Sequence, residues 1–139
     1  MIIDVIDGSN YFKGLLLLIR KDHKISNHEA ELMKKIGKSL GLNEEFCDEA
    51  IRDILGNAYI SDAPPKFSTE TLAKKFIRDG LRLASADNEL HDLEEEWLRA
   101  VAAANGIGTD WVAGQKHTAL DGTIGEKFDA FDLRIRYHG

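Results

Sequence analysis

The feature that most limits how this chain can fold is an internal repeat. Slid against itself by 65 places, the 139-residue sequence superimposes Asp22 on Asp87, Ile25 on Leu90, Glu29 on Glu94, Glu31 on Glu96 and Leu32 on Trp97. It also superimposes Ile36 on Val101, Gly41 on Gly106 and Leu42 on Ile107, and upstream Tyr11 meets Phe76, Phe12 meets Ile77 and Leu18 meets Leu83. Chance is a strained explanation for acids and glycines that coincide at one offset. The shared unit is an apolar helix, then Asp-x-x-aliphatic-x-x-x-Glu, then a second helix, then Gly-aliphatic. Two such hairpins can bury each other's apolar faces.

The helices can be followed by their apolar spacing and their caps. Tyr11, Phe12, Leu15, Leu16, Leu18 and Ile19 cover most of a helical circumference, so the first helix is expected to be largely buried, with Ser9 or Asn10 as its cap. Ser26-Asn27-His28-Glu29 reads as a capping box for a helix that turns Leu32, Met33, Ile36 and Leu40 inward and stops at Gly41. Asn43 caps the next, with Phe46, Ala50, Ile51, Ile54 and Leu55 as its stripe and Gly56-Asn57 as its stop. After the linker Asp62-Ala63-Pro64-Pro65, Ser68 or Thr69 opens a long helix carrying Leu72, Ala73, Phe76, Ile77, Leu81, Leu83 and Ala84. A further helix is predicted from about Asp92 to Ala104, with Leu93, Trp97, Leu98 and Val101 inward, and another from Thr109.

Beyond Leu120 the helical period fades, and Phe131, Leu133, Ile135 and Tyr137 alternate with polar residues as in a strand. Met1 to Ile6 has a similar strand-like composition, so the two ends are candidates to pair. The expected fold is an all-α bundle of six to seven helices. It forms one domain over 1–139, with a first repeat over about 9–57, a linker over about 58–67, a second repeat over about 68–120 and a strand-like tail over 121–139.

Composition narrows the setting. With 43% apolar and 30% charged residues the chain is of globular type, and its length is enough for one core. The lone Cys47 cannot form an internal disulfide and falls on the apolar side of its helix, which points to a reducing compartment. The longest aliphatic run, Leu15 to Ile19, is far short of the roughly 20 residues that span a bilayer. The first residues carry Asp4 and Asp7 where an export signal would carry lysine or arginine, so a cytoplasmic location is expected. A net charge of −6 opposes binding to nucleic acid or anionic lipid.

The doubled motif resembles the TerB-like domain of tellurite-resistance proteins, which also occurs beside J-domains in co-chaperones, and the likeness spans roughly Tyr11 to Ile107. The residues that carry it are Ile19-Arg20-Lys21-Asp22-His23-Lys24-Ile25 and Ala84-Ser85-Ala86-Asp87-Asn88-Glu89-Leu90. Both copies depart from the family's glycine after the aspartate, with His23 and Asn88 in its place. Asn and His are among the residues that most readily take its positive φ. The resemblance implies an all-α bundle, an acidic metal-binding site built from both repeats and a link to metal and chemical stress. It implies no enzymatic activity.

Asp22, Glu29, Asp87 and Glu94 are accordingly the candidate metal ligands. Four carboxylates at one locus repel unless protons or a cation neutralise them, and an all-oxygen set suits Ca²⁺, Mg²⁺ or Mn²⁺ better than Zn²⁺. The plainer reading is that each Glu caps its own helix and each Asp supports its turn. An EF-hand is excluded, because the twelfth places counted from Asp22 and Asp87 are Met33 and Leu98 instead of glutamate. His23, His28 and His91 flank the turns and would draw the site towards Zn²⁺ or Ni²⁺ if they joined it. His117, His138 and Cys47 have no partner at ligand or dyad spacing. Asp92, Glu94, Glu95 and Glu96 suit the first turn of a helix, and Trp97 and Trp111 read as core anchors.

These readings converge on a non-catalytic module that binds or senses a divalent cation, without an organic cofactor. The alternative is a metal-independent domain that presents a helical face to a protein partner, and a distant third is a metal-dependent hydrolase.

Overall fold

The computed structural model describes residues 1–21, 26–56, 61–85, 90–125 and 127–137, the side chain of Leu55 excepted. Asp22, Asp87, His23, His138 and Asn57 therefore lie outside the described residues. The described residues form six helices: α1 (Val5–Arg20), α2 (Asn27–Leu40), α3 (Glu44–Gly56), α4 (Glu70–Ala84), α5 (Asp92–Ala104) and α6 (Thr109–Leu120). The strand β1 (Ile2–Ile3) precedes them, and a short 3-10 turn (Asp129–Asp132) and the strand β2 (Arg134–Ile135) follow. The all-α bundle expected from the repeat is what the chain forms.

Local chemistry explains most of the boundaries. Ser26 and Glu29 form the capping box, with the Glu29 amide on Ser26 Oγ and the Ser26 amide on Glu29 Oε1, both at 3.1 Å. Asn43 accepts from the Glu45 amide at 2.7 Å, and Thr69 caps α4 through the Leu72 amide. Ser68, the other candidate cap, is bound instead by the buried Asp7 carboxylate through both its amide and its hydroxyl. Gly41 and Gly106 end α2 and α5 at φ 93° and 72°, in the left-handed region where a side chain is strained. Each stop is closed by the same bond, from Leu42 N to Gly37 O at 2.9 Å and from Ile107 N to Ala102 O at 2.8 Å.

Three expectations need correction. The first helix starts at Val5, well before Ser9 or Asn10, because Asp4 already caps it by accepting from the Asp7 amide at 2.7 Å. That shortens the N-terminal strand to Ile2–Ile3 and leaves Ile6 on the helix, 69% exposed. Leu93 points outward at 57% exposure while its neighbour Glu94 is buried, so the inward face of α5 begins one residue later than its apolar pattern suggests. The tail is only partly a strand. Ala130 and Leu133 are buried around the 3-10 turn, and only Arg134 and Ile135 pair, in parallel register with Ile2 and Ile3.

Packing follows a simple plan. α1 packs on α2 and α3, α4 packs on α5 and α6, and the two triads meet mainly where α1 crosses α4. Tyr11, Phe12, Leu15, Leu16 and Leu18 are fully buried, as are Phe76, Ile77 and Leu81. At the crossing the Tyr11 ring stands edge-on to Phe76, with centroids 5.3 Å apart, and Phe67 and Trp97 complete an aromatic cluster. The linker is strapped to this core. Asn105 accepts from the Phe67 amide and donates to Pro65 O, each at 2.9 Å, and the Trp97 indole donates to Asp62 O at 2.7 Å. The tail lies over α1, α2 and α4.

Candidate functional site

Glu29 and Glu94 stand at the third helical position of α2 and α5. Their surroundings differ. Glu29 is half-buried, and its Oε1 serves the capping box, also accepting from Ser26 Oγ at 3.1 Å. Glu94 is 5% exposed, at the start of a helix whose N-cap, His91, makes no side-chain cap. Its negative charge suits the positive end of the helix dipole there. Asp22 and Asp87 lie outside the described residues, so the four predicted ligands are placed only in part. Among the described residues no three His, Cys, Asp or Glu side chains gather into a metal-holding group.

The other chemistry-bearing residues are dispersed. His28 and His91 are exposed, and so is His117 beside Asp121. Cys47 is 3% exposed, and burial pushes its thiol further from ionisation, with Asp48 and Glu44 adding to the effect. That is the behaviour of a small core hydrophobe. Trp97 is buried in the core as expected, whereas Trp111 is half-buried with the Lys74 ammonium 5.3 Å from its ring centre. An open depression of about 300 Å³ lies along Asn27, His28, Glu31, Leu32 and Lys35. It presents one acid, one base and one imidazole along a single helix.

No family model matches the chain, and neither a curated protein nor a solved structure is significantly similar to it. Its chemistry has to be read from its own side chains.

Among the described residues the most extensive buried polar network is one that apolar spacing alone passes over. Asp79 sits on the inward face of α4, three residues after Phe76 and four before Leu83, with none of its surface exposed. Its carboxylate accepts from the Tyr11 hydroxyl at 2.5 Å, the Asp129 amide at 2.7 Å, the Ala130 amide at 2.9 Å and Arg82 Nη1 at 2.8 Å. Arg82 extends the network to Asp129 Oδ2 at 3.2 Å and to Ile124 O at 3.1 Å, and Arg78 reaches the same Asp129 oxygen at 3.0 Å. Burial pushes the Asp79 carboxyl up to about 6, although the Tyr11 hydroxyl and the Asp129 and Ala130 amides pull it back. The Tyr11 phenol is raised well above its usual range, first by burial and then by the Asp79 charge. A carboxylate sealed in this way cannot meet a substrate. It joins α1, α4 and the tail. The sequence signal was available in the form of an acid within an apolar stripe, the kind of buried charge that requires partners.

Proposed function

We propose that the chain is a non-catalytic TerB-like binding module that holds a hard divalent cation between its two interhelical turns, with Asp22, Glu29, Asp87 and Glu94 as ligands. Its role is regulatory, in a response to metal or chemical stress. The observation that carries this reading is the pattern of contacts where α1 crosses α4. Under the 65-residue shift Tyr11 maps on Phe76 and Gly14 maps on Asp79. Tyr11 touches Phe76, its own equivalent; Tyr11 also bonds Asp79, and Gly14 in turn faces the Phe76 ring. A contact of a residue with its own equivalent, flanked by an exchanged pair, is what a local two-fold axis produces.

Further along the same two helices the Leu18 side chain meets Gly80. The described ends of α1 and α4, at Arg20 and Ala84, lie a few residues after these positions. The described donors fit a hard cation in chemistry, since both are carboxylates, and the capping box engages Glu29 through Oε1. When bound, the cation would neutralise the mutual repulsion of the four acids. Calorimetric titration with Mn²⁺, Ca²⁺ and Mg²⁺ tests the idea, alongside elemental analysis of protein purified without chelator. The wild type should bind one equivalent and Asp22→Asn/Asp87→Asn none. Absence of binding by the wild type would overturn the reading. It would leave the protein-interaction alternative, which the exposed Ile2, Val5 and Ile6 favour.

A further inference from the structure

We infer that the segment from Lys127 to Tyr137 is a releasable strap, with the buried Asp79 carboxylate as its catch, that opens as one unit while the six helices stay folded. This is independent of any cation at the turns. The strap's buried residues are Ala130, Leu133 and Ile135, the last seated directly on Gly8 of α1, and Phe128 and Phe131 pack part-buried against the core. Set against the eleven residues that have to be ordered, three buried apolar side chains and two part-buried rings leave polar contacts a deciding share of the attachment.

Those polar contacts are mostly made to main-chain atoms. Asp79 takes the successive amides of Asp129 and Ala130, and the chain's own amino terminus donates to Asp132 O at 2.8 Å. The Arg134 and Arg136 amides donate to Met1 O and Ile3 O at 3.0 and 2.8 Å, while the Tyr137 hydroxyl reaches Gly41 O at 2.6 Å. Arg78 and Arg82 hold Asp129 from α4, and Arg134 holds Ser39 O on α2. Most of these bonds lie at part-exposed positions, where water competes for them. The pair of amides on Asp79, that of Ala130 buried and that of Asp129 part-buried, reaches deepest into the structure, so it decides whether the strap stays down. By contrast α1 and α4 keep their own aromatic cluster and their packing on the other helices whether or not the strap is seated. Opening would bare the Tyr11 hydroxyl, Gly8 and Asp79 together, a seat that recognises the main chain of a turn followed by a strand.

Amide hydrogen exchange on the full chain at residue resolution tests this. The Asp129, Ala130, Arg134 and Arg136 amides should share one opening equilibrium, roughly tenfold or more less protected than the centres of α1 and α4, and nearly insensitive to low denaturant. Asp79→Asn keeps the shape but replaces one acceptor oxygen with a donor. It should lower protection of all four amides by a common factor of about ten or more, including the two that do not touch residue 79. Gly8→Ala acts from the other side, by placing a methyl group where Ile135 sits, and should give the same concerted loss even if the Asp79 variant fails to fold. Strap amides as protected as the helix centres would overturn the inference. So would an Asp79 variant that loosens Asp129 and Ala130 alone.

Discussion

A carboxylate with no exposed surface survives folding only where donors replace the water it loses, and Asp79 has donors from a phenol, two amides and a guanidinium. Burial nevertheless outweighs them, which gives the molecule a definite response to pH. The folded-state value of about 6 exceeds the ordinary carboxyl value of about 3.9, so the folded chain binds this proton more tightly than the unfolded one. The resulting stabilisation is complete below about pH 4 and is lost as pH rises through about 6. The groups that face it are Tyr11 from α1, Arg82 from α4 and Asp129 from the tail, with Arg78 acting through Asp129. Urea unfolding of wild type and Asp79→Asn at pH 4.5 and pH 7 should show a stability gap about 2 kcal/mol larger at the lower pH. Equal gaps would show that the carboxyl is not raised. Tyr11→Phe, which deletes one donor and leaves the acceptor buried, should cost about 1–3 kcal/mol at pH 7.

At the scale of the helices, sequence and structure agree where an element is defined by its own residues. The capping box at Ser26, the caps at Asn43 and Thr69, and the glycine stops at Gly41 and Gly106 were all legible, because each depends on atoms only a few positions apart. The first helix was misjudged at its start because Asp4 caps it ahead of an exposed turn, where an apolar stripe leaves no trace. Ser26→Ala should lower stability by about 1 kcal/mol in thermal unfolding, through loss of the Glu29 amide bond. Gly14→Ala makes the opposite test of propensity against packing. Alanine is the better helix former, yet its methyl would lie 2.8 Å from the buried Phe76 ring. A net loss of about 1–3 kcal/mol is expected, and a stabilised variant would mean that α1 and α4 do not cross so closely.

For the molecule as a whole, the decisive joints are the ones that link the two triads. The linker is one of them, since Asn105 holds it through both Pro65 O and the Phe67 amide, and Trp97 through Asp62 O. Asn105→Ala should cost about 2–3 kcal/mol and open the stretch 61–67 to proteolysis at rates well above wild type. Intact folding with unaltered cleavage would show that the prolines alone hold this stretch. The candidate cation site was legible only as a pattern of repeated acids, because a ligand set is defined by how residues distant in sequence converge. The strap and its catch show the same division.

By itself the amino-acid sequence determined the helices, most of their caps and stops and the buried character of α1, since apolar period and hydrogen-bonding side chains act over a few residues. Only the tertiary structure decided that Asp79, an acid in an apolar stripe, would be satisfied by Tyr11 from 68 residues upstream and by amides from 50 and 51 residues downstream. The cost of burying a charge can be read locally, but the donors that meet it are chosen by how the helices cross.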